Sequence, residues 1–394
     1  MSVATAVRKS IVLALNSGSS SLKFGLYRVG SASADTLLSG AAEGIGSATG
    51  RFHVQDADGD LVLSETTSIP GPTEALEHIG RWLSASAVPV PTVIGHRIVH
   101  GGPGLRQHCP IDATVVRQLE AATPFAPLHM PAALSVICFA QTHFPGVPQV
   151  ACFDTAFHAE LPDVARTLPV PRALRAQGIQ RYGFHGLSCE SIVHQLANDP
   201  PGRLIVAHLG NGASVTAVRD GRSIDTSMGL TPSGGVVMST RSGDLDPGVL
   251  VYLMREQGFD AGKVADLVDH RSGLLGISGV SGDLRDLHEV AASNADAQLA
   301  IAMFCHAVRK QVAAMIAVLD GVDVIVFTGG IGENDALVRA AICEGLQWIG
   351  VGLDAARNRV ARNPVNDAAS RCSVLVLPSR EDEQIARHAW ALSG

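Results

Sequence analysis

Charge is scarce in this 394-residue sequence and evenly spread: Asp, Glu, Lys and Arg make up 17%, the formal charge is -7, and no run of Lys or Arg occurs. The electrostatic footprint that nucleic acid or an anionic membrane would require is therefore missing, and neither is expected as a partner. Seven cysteines (109, 138, 152, 189, 305, 343 and 372) are an odd number, widely scattered, and never spaced Cys-x-x-Cys. That excludes the usual zinc and dithiol frameworks and leaves them as reduced, mostly core residues. The apolar stretch nearest the N-terminus, Ile11 to Leu15, is too short for a signal-peptide core or a membrane span, so the chain reads as cytoplasmic. Two common nucleotide signatures are also absent. Gly262-Lys263 is followed by Val264, which fails the Walker pattern, and Gly330-x-Gly332 meets Asp335 where a dinucleotide fingerprint needs glycine. No Gly-x-Ser-x-Gly elbow supports a serine hydrolase.

What is present is a hydrophobic content of 46% and 41 glycines, the composition of a globular protein with many tight turns. The length exceeds what one core usually supports, so two domains are expected. Ile11 to Leu15 is a β-prone run that enters NSGSSS (Asn16 to Ser21) and leaves through a second alternating run to Tyr27. Leu204 to Ala207 enters HLGNGAS (His208 to Ser214) and leaves through Val215 to Val218 in the same way. Two copies of one hairpin imply two related halves. Leu299, Met303, Val308, Val312, Met315, Ile316 and Leu319 then mark a long amphipathic helix that stops at Gly321. A buried strand, Asp323 to Phe327, follows and feeds a glycine loop, TGGIGEN (Thr328 to Asn334), with Asn334 or Asp335 capping the next helix. The reading is an α/β fold with mixed sheets flanked by helices, divided into 1–155 and 156–382, with a final helix (383–394) returning to the first half.

Glycine turns expose backbone N–H groups that form concave anion sites, and nearby hydroxyls add donors. NSGSSS and HLGNGAS both qualify, although either alone is equally well an ordinary hairpin turn. GHRIVHGG (Gly95 to Gly102) and MSTRSGDLDP (Met238 to Pro247) each set one arginine, Arg97 or Arg241, among small residues. A guanidinium matches two oxygens of a carboxylate or phosphate, while a surface salt bridge is the competing reading. His96 and His100 have a metal-ligand spacing for a helix, but the flanking residues oppose one, so zinc is not expected. Magnesium takes oxygen ligands, and the candidates are Asp154 in ACFDTAFH and Glu381 or Asp382 in LPSREDEQ, placed at strand or loop ends.

The ordered blocks NSGSSSLKF, GHRIVHGG, APLH, FDTAFH, RYGFHG, HLGNGAS, DTSMGLTP, TRSGDLDP, SGLLGISG and FTGGIGEN, with Glu381 to Ala386, resemble the acetate kinase family nearly end to end. That family belongs to the wider actin, sugar kinase and Hsp70 group. The resemblance implies a duplicated two-domain fold with ATP and acid in an interdomain cleft, a homodimer formed mainly through the second domain, and Mg2+ (or Mn2+) as cofactor. It implies contacts to phosphate and metal from Asn16, Ser19 and Ser21 with Lys23 nearby, and an ATP-phosphate cradle from His208, Gly210, Asn211 and Gly212. Asp283, Leu284, Arg285, Gly330, Ile331 and Asn334 would line the adenosine pocket. Arg97 and Arg241 would bind the acid and the moving phosphoryl group, His185 would stabilise the transition state, and His129 would lie nearby. Asp154, which the resemblance also makes catalytic, would hold the metal with Asn16 and Glu381. Val99, Leu128, Phe184 and Pro232 would set acid size.

The implied reaction is reversible in-line transfer between ATP and acetate, giving acetyl phosphate and ADP. A propionate kinase is the close alternative, and an ATP-switched binding protein of the same group is the alternative from another class. A carboxylate is already nucleophilic at neutral pH, so alignment and charge, rather than a strong base, limit such a step. Three stretches depart from the family pattern: Met130 stands after His129 in place of Asn, Leu187 and Cys189 replace Thr and His after GFHG, and Ser233 to Gly235 replaces Leu-Glu-Gly.

Overall fold

The structure is a computed structural model that describes residues 9–394 except 19, 20, 48, 87 and 128. Two of the expected site residues, Ser19 and Leu128, therefore lie outside the described residues. The chain divides into two compact units, residues 1–156 with 380–394, and residues 157–379.

Unit 1 is built on an eight-stranded sheet. Its strands are β1 (Ser10–Ser17), β2 (Ser21–Val29), β3 (Ala34–Glu43), β4 (Gly50–Asp56), β5 (Leu61–Thr67), β6 (Val93–Ile98), β7 (Cys109–Pro110) and β8 (Gln149–Phe153). Their spatial order is β5-β4-β3-β2-β1-β6-β8-β7. β1 lies between β2 and β6 and is buried almost throughout, which is why SIVLALNS reads as a continuous apolar run rather than an alternating one. Leu13, Leu15, Phe24, Leu26 and Phe52 join Leu76 and Ile79 of the helix Pro72–Ala85 in one core, with the Phe24 and Phe52 rings stacked.

Unit 2 holds β9 (Arg203–Leu209), β10 (Ala213–Arg219), β11 (Arg222–Thr226), β12 (Val324–Thr328) and β13 (Ser373–Val376), in the order β11-β10-β9-β12-β13. β9 pairs antiparallel with β10 and parallel with β12, and β12 pairs parallel with β13. In unit 1 the strands β3-β2-β1-β6-β8 repeat that scheme, antiparallel through β3, β2 and β1 and then parallel through β6 and β8. The duplication suggested by two similar hairpins is thus a duplication of a whole five-strand topology. In each copy the glycine turn follows the central strand.

The long helix runs Ala295–Leu319, capped by Asn294 at its start and ended by Asp320, which takes a left-handed conformation before Gly321. It is long and apolar enough to cross a membrane, but Phe304, Val308, Val312 and Met315 are buried, and the helix packs on β9 and β10 as a core element.

Two local expectations need correction. TGGIGEN is not a loop: Gly329–Asn334 forms a short helix directly after β12. The turn from strand to helix is made at Gly329, whose φ of 77° places it against the Leu209 carbonyl where a Cβ would stand only 2.7 Å from the oxygen. Glu381 and Asp382 are likewise not at a loop end but in the first turn of the helix Glu381–Leu392. Three consecutive acids there suit the helix dipole and the unfilled N–H groups, so the final helix starts two residues before 383.

Candidate active site

In unit 1 the parallel strands β1, β6 and β8 end together, because Leu15 pairs with His96 and His96 with Ala151. Carboxyl ends of parallel strands are where α/β sheets present ligand-binding groups. Asn16, Arg97 and Asp154 stand at that edge. The helix Glu381–Leu392 reaches the same edge by pressing on β6 at Gly95, where a Cβ would meet Ile385 at 2.6 Å and Ala389 at 3.0 Å.

The resulting cluster is closely bonded. Arg97 donates from Nε and Nη2 to Asp154 Oδ2 at 2.9 and 2.6 Å, and from Nη1 to Asn16 Oδ1 at 3.3 Å. Asn16 Nδ2 in turn donates to Asp382 Oδ1 at 2.8 Å and Glu381 Oε2 at 3.2 Å. Burial pulls the Arg97 guanidinium down, but Asp154, Glu381 and Asp382 outweigh it and hold it above the usual arginine value. Asp382 is partly exposed yet ringed by protein atoms. That enclosure and the neighbouring Glu381 push its carboxyl up, against the opposing pull of Asn16, Lys23 and Arg97. Several carboxylates held together at one strand edge form an oxygen-rich, negatively biased set, which is the donor chemistry that a hard divalent cation takes. Lys23 pairs with Asn16 across the β1–β2 ladder, Ser21 closes the turn by accepting from the Gly18 N–H, and Val99 is buried just beyond β6. His129 directly precedes the helix Met130–His143, with no side-chain capping bond to it.

In unit 2 a second group forms around the turn after β9. His185 occupies a left-handed conformation, φ 59°, at the start of the helix Gly186–Gln195. A non-glycine residue there costs roughly 1–3 kcal/mol and persists only when its surroundings over-determine it. Here they do. His185 Nδ1 is 2.9 Å from Ser214 Oγ, and the ring stacks on His208 with centroids 4.1 Å apart. The preceding carbonyl, that of Phe184, accepts from His158 Nε2 at 3.0 Å. A Cβ on Gly212 would stand 3.2 Å from His185 Nε2 and 3.3 Å from Arg241 Nη1, so both side chains converge on this bare turn. Arg241 Nη1 also donates to the Pro232 carbonyl at 3.2 Å.

The residues expected at the adenosine are joined by contacts that the sequence did not signal. Asp283 caps the helix Leu284–Val290 and pairs with Arg285, while His288 of that helix bonds Asp335, the cap of the helix following Asn334. Gly330 and Asn334 are exposed and Leu284 is buried. Beneath Gly329–Asn334 lies Arg339, 1% exposed, which donates to the Gly332 and Glu333 carbonyls and to Asn358. A single arginine in an apolar helix pattern carries no sequence mark of that role. Ser214 and His158 were inside quoted motifs, and only the fold reveals what they bond.

The profile of the acetokinase family matches residues 11–387. The chain belongs to that family. An acetate kinase from Methylocella silvestris is 44% identical over 97% of each chain, and one from Heliobacterium modesticaldum is 41% identical over 97% of this chain and 99% of the relative. Among solved structures, a propionate kinase from Francisella tularensis matches with a TM-score of 0.90 at 36% identity, covering 97% of this chain and all of that one. The acetate kinase of Porphyromonas gingivalis gives 0.85 at 34%, covering 98% and 100%. As an acetokinase the chain is an enzyme that transfers phosphoryl groups, and its α/β fold is the one these kinases share.

Proposed function

We propose that this acetokinase transfers the γ-phosphoryl group between ATP and acetate, giving acetyl phosphate and ADP. The observation that carries the reading is the convergence of His185 Nε2 and Arg241 Nη1 on the side-chain-free turn at Gly212. In the forward direction an acetate oxygen attacks the γ-phosphorus while the bond to the β,γ-bridging oxygen breaks and its electron pair leaves with ADP. No proton need move. Arg241 and His185 meet the equatorial oxygens as charge spreads over them, and Arg97 orients the acid. Asn16, Asp154 and Glu381 would hold Mg2+ or Mn2+, which supplies charge neutralisation between nucleotide phosphates and acid. His208, Gly210, Asn211 and Gly212 cradle the phosphates, and Asp283, Arg285, Gly330, Ile331 and Asn334 take the adenosine. The reaction belongs to the cytoplasm, where ATP and free carboxylates are found.

Acid size is set by Val99, Phe184 and Pro232, and the resemblance to a propionate kinase keeps propionate as a second reading. One methylene is worth ~1–3 kcal/mol in an apolar pocket. Trapping the acyl phosphate as hydroxamate across acetate, propionate and butyrate should therefore give a kcat/KM for acetate about tenfold above that for propionate. A clear preference for propionate would move the assignment to the second reading.

We further propose a homodimer formed through unit 2. Its support is the helix Pro247–Glu256, which buries no residue although Val249, Val251, Tyr252 and Met254 are all exposed apolar side chains. Exposed apolar surface of this extent is characteristic of a covered interface. Sedimentation should give twice the 41.0 kDa of one chain, and Tyr252→Glu with Val251→Glu should halve it. A wild-type chain sedimenting as a monomer would remove the proposal.

A further inference from the structure

His208 Nδ1 lies 2.8 Å from Ser188 Oγ, and Ser188 Oγ accepts from Ser379 Oγ at 3.0 Å. With that bond accepted, the hydrogen of Ser188 is directed to His208, so Nδ1 is the bare acceptor nitrogen and the N–H of the neutral ring sits on Nε2. Nε2 faces the glycine turn: a Cβ on Gly210 would stand 3.9 Å from it. The far end of the relay is fixed as well. The Ser379 N–H donates to Glu333 Oε1 at 3.0 Å, and the same oxygen accepts from the Gly329 N–H at 3.0 Å, at the head of the helix Gly329–Asn334. Stacking on His185 at 4.1 Å disfavours charge on both rings at once, because two imidazolium rings at that separation would repel.

We propose that Ser188 and Ser379 are positioning residues which hold His208 as its Nε2–H tautomer, aiming the N–H at a phosphate oxygen in the Gly210–Gly212 turn. The proposal rests on the reading that His208 contacts nucleotide phosphate. Ser188 is wholly buried in the segment GFHGLSCE, two residues on from Gly186 and between the buried Leu187 and Cys189. Without its hydroxyl, Nδ1 would lose the donor that Ser188 supplies, and the preference for carrying the proton on Nε2 would weaken.

The test uses the full-length enzyme labelled with 15N-histidine, in wild type and in Ser188→Ala, Ser188→Thr, Ser379→Ala and His208→Asn. Long-range 1H–15N spectra should show His208 with a bare Nδ1 and a protonated Nε2 in the wild type. Ser188→Ala and Ser379→Ala should shift it toward Nδ1–H and lower kcat/KM for ATP about tenfold, the loss of roughly one buried hydrogen bond. Ser188→Thr keeps the hydroxyl and should restore both signals, which a merely structural defect would not do. A His208 that stays Nε2–H in both alanine variants, or that is already mixed in the wild type, overturns the relay. An unchanged kcat/KM for ATP in His208→Asn, with the tautomer shift intact in the serine variants, overturns the phosphate contact instead.

Discussion

Arg241→Ala is expected to lower kcat about 1,000-fold while the affinity for ATP changes less than about threefold. Charge that develops only as the phosphoryl group moves is what this side chain meets, and removing such a group typically costs ~100- to 1,000-fold or more in turnover. Arg241 Nη1 donates to the Pro232 carbonyl and the Met238 sulfur, and it converges with His185 on the Gly212 turn. Arg97→Ala should behave differently. Its partner Asp154 has a side chain only 1% exposed, and removing one member of a buried pair costs ~3–5 kcal/mol because the other charge stays uncompensated. Arg97→Ala should therefore lose both activity and stability, and adding Asp154→Asn should return stability without returning turnover. Single-turnover rates, nucleotide titrations and urea midpoints separate these outcomes. Equal losses of kcat and ATP affinity in Arg241→Ala would mean that it binds the ground state and transition state alike, and would count against its role.

How much of this was legible beforehand depends on the sequence distance over which each feature is fixed. The hairpins after Leu15 and Ala207, the helix ending before Gly321 and the cap at Asp335 are local: each follows from periodicity, glycine and capping chemistry within a few residues. Family blocks singled out Arg97, His185, Arg241 and the two turns, and the structure places Arg97 with Asn16 and Asp154 in one unit, and His185 with Arg241 and His208 in the other. What could not be read is the bonding across distance. Asn16 meets Glu381 and Asp382 across some 365 residues because a helix lies on β6 where Gly95 has no side chain, and no local pattern encodes that approach. Glu381 and Asp382 both accept from the one Asn16 amide, so that contact favours neither of them over the other. TGGIGEN reads as a loop because its glycines are helix breakers. Tertiary contacts with Leu209 and Arg339 make a helix there in spite of propensity.

Acidification should destabilise the enzyme steeply between about pH 6.5 and pH 4, beginning above the range in which ordinary carboxylates are protonated. Two buried histidines account for it. His96, in β6 next to Arg97, is lowered to about 4 by burial against a smaller opposing bond to Gln149, and its other ring nitrogen has no partner among the described residues. His158 is also lowered to about 4, chiefly by burial, although the Phe184 carbonyl and Glu190 pull it upward. Its Nε2–H is committed to that carbonyl, so Nδ1 accepts from Ser223 and the ring stays neutral. A histidine whose folded pKa is depressed leaves stability intact above its unfolded value of about 6.5, and loses it as pH falls, because the unfolded chain takes up the proton first. Each group can contribute about 3 kcal/mol by pH 4, the product of its shift and ~1.4 kcal/mol per unit. Asp225 and Asp382, both raised, act in the opposite sense, since protonation favours their folded forms, and they temper the loss. Urea midpoints measured from pH 8 to pH 4.5 should fall most steeply below pH 6.5. His96→Gln and His158→Gln should flatten that fall while costing stability at pH 8. A midpoint that does not change between pH 7 and pH 5 would show that these rings titrate alike in the folded and unfolded chain. Protonation of His158 adds its hydrogen at Nδ1, so Ser223 must turn from donor to acceptor while the Nε2–H bond to the Phe184 carbonyl behind His185 persists. Activity should therefore fall together with stability rather than ahead of it as pH falls.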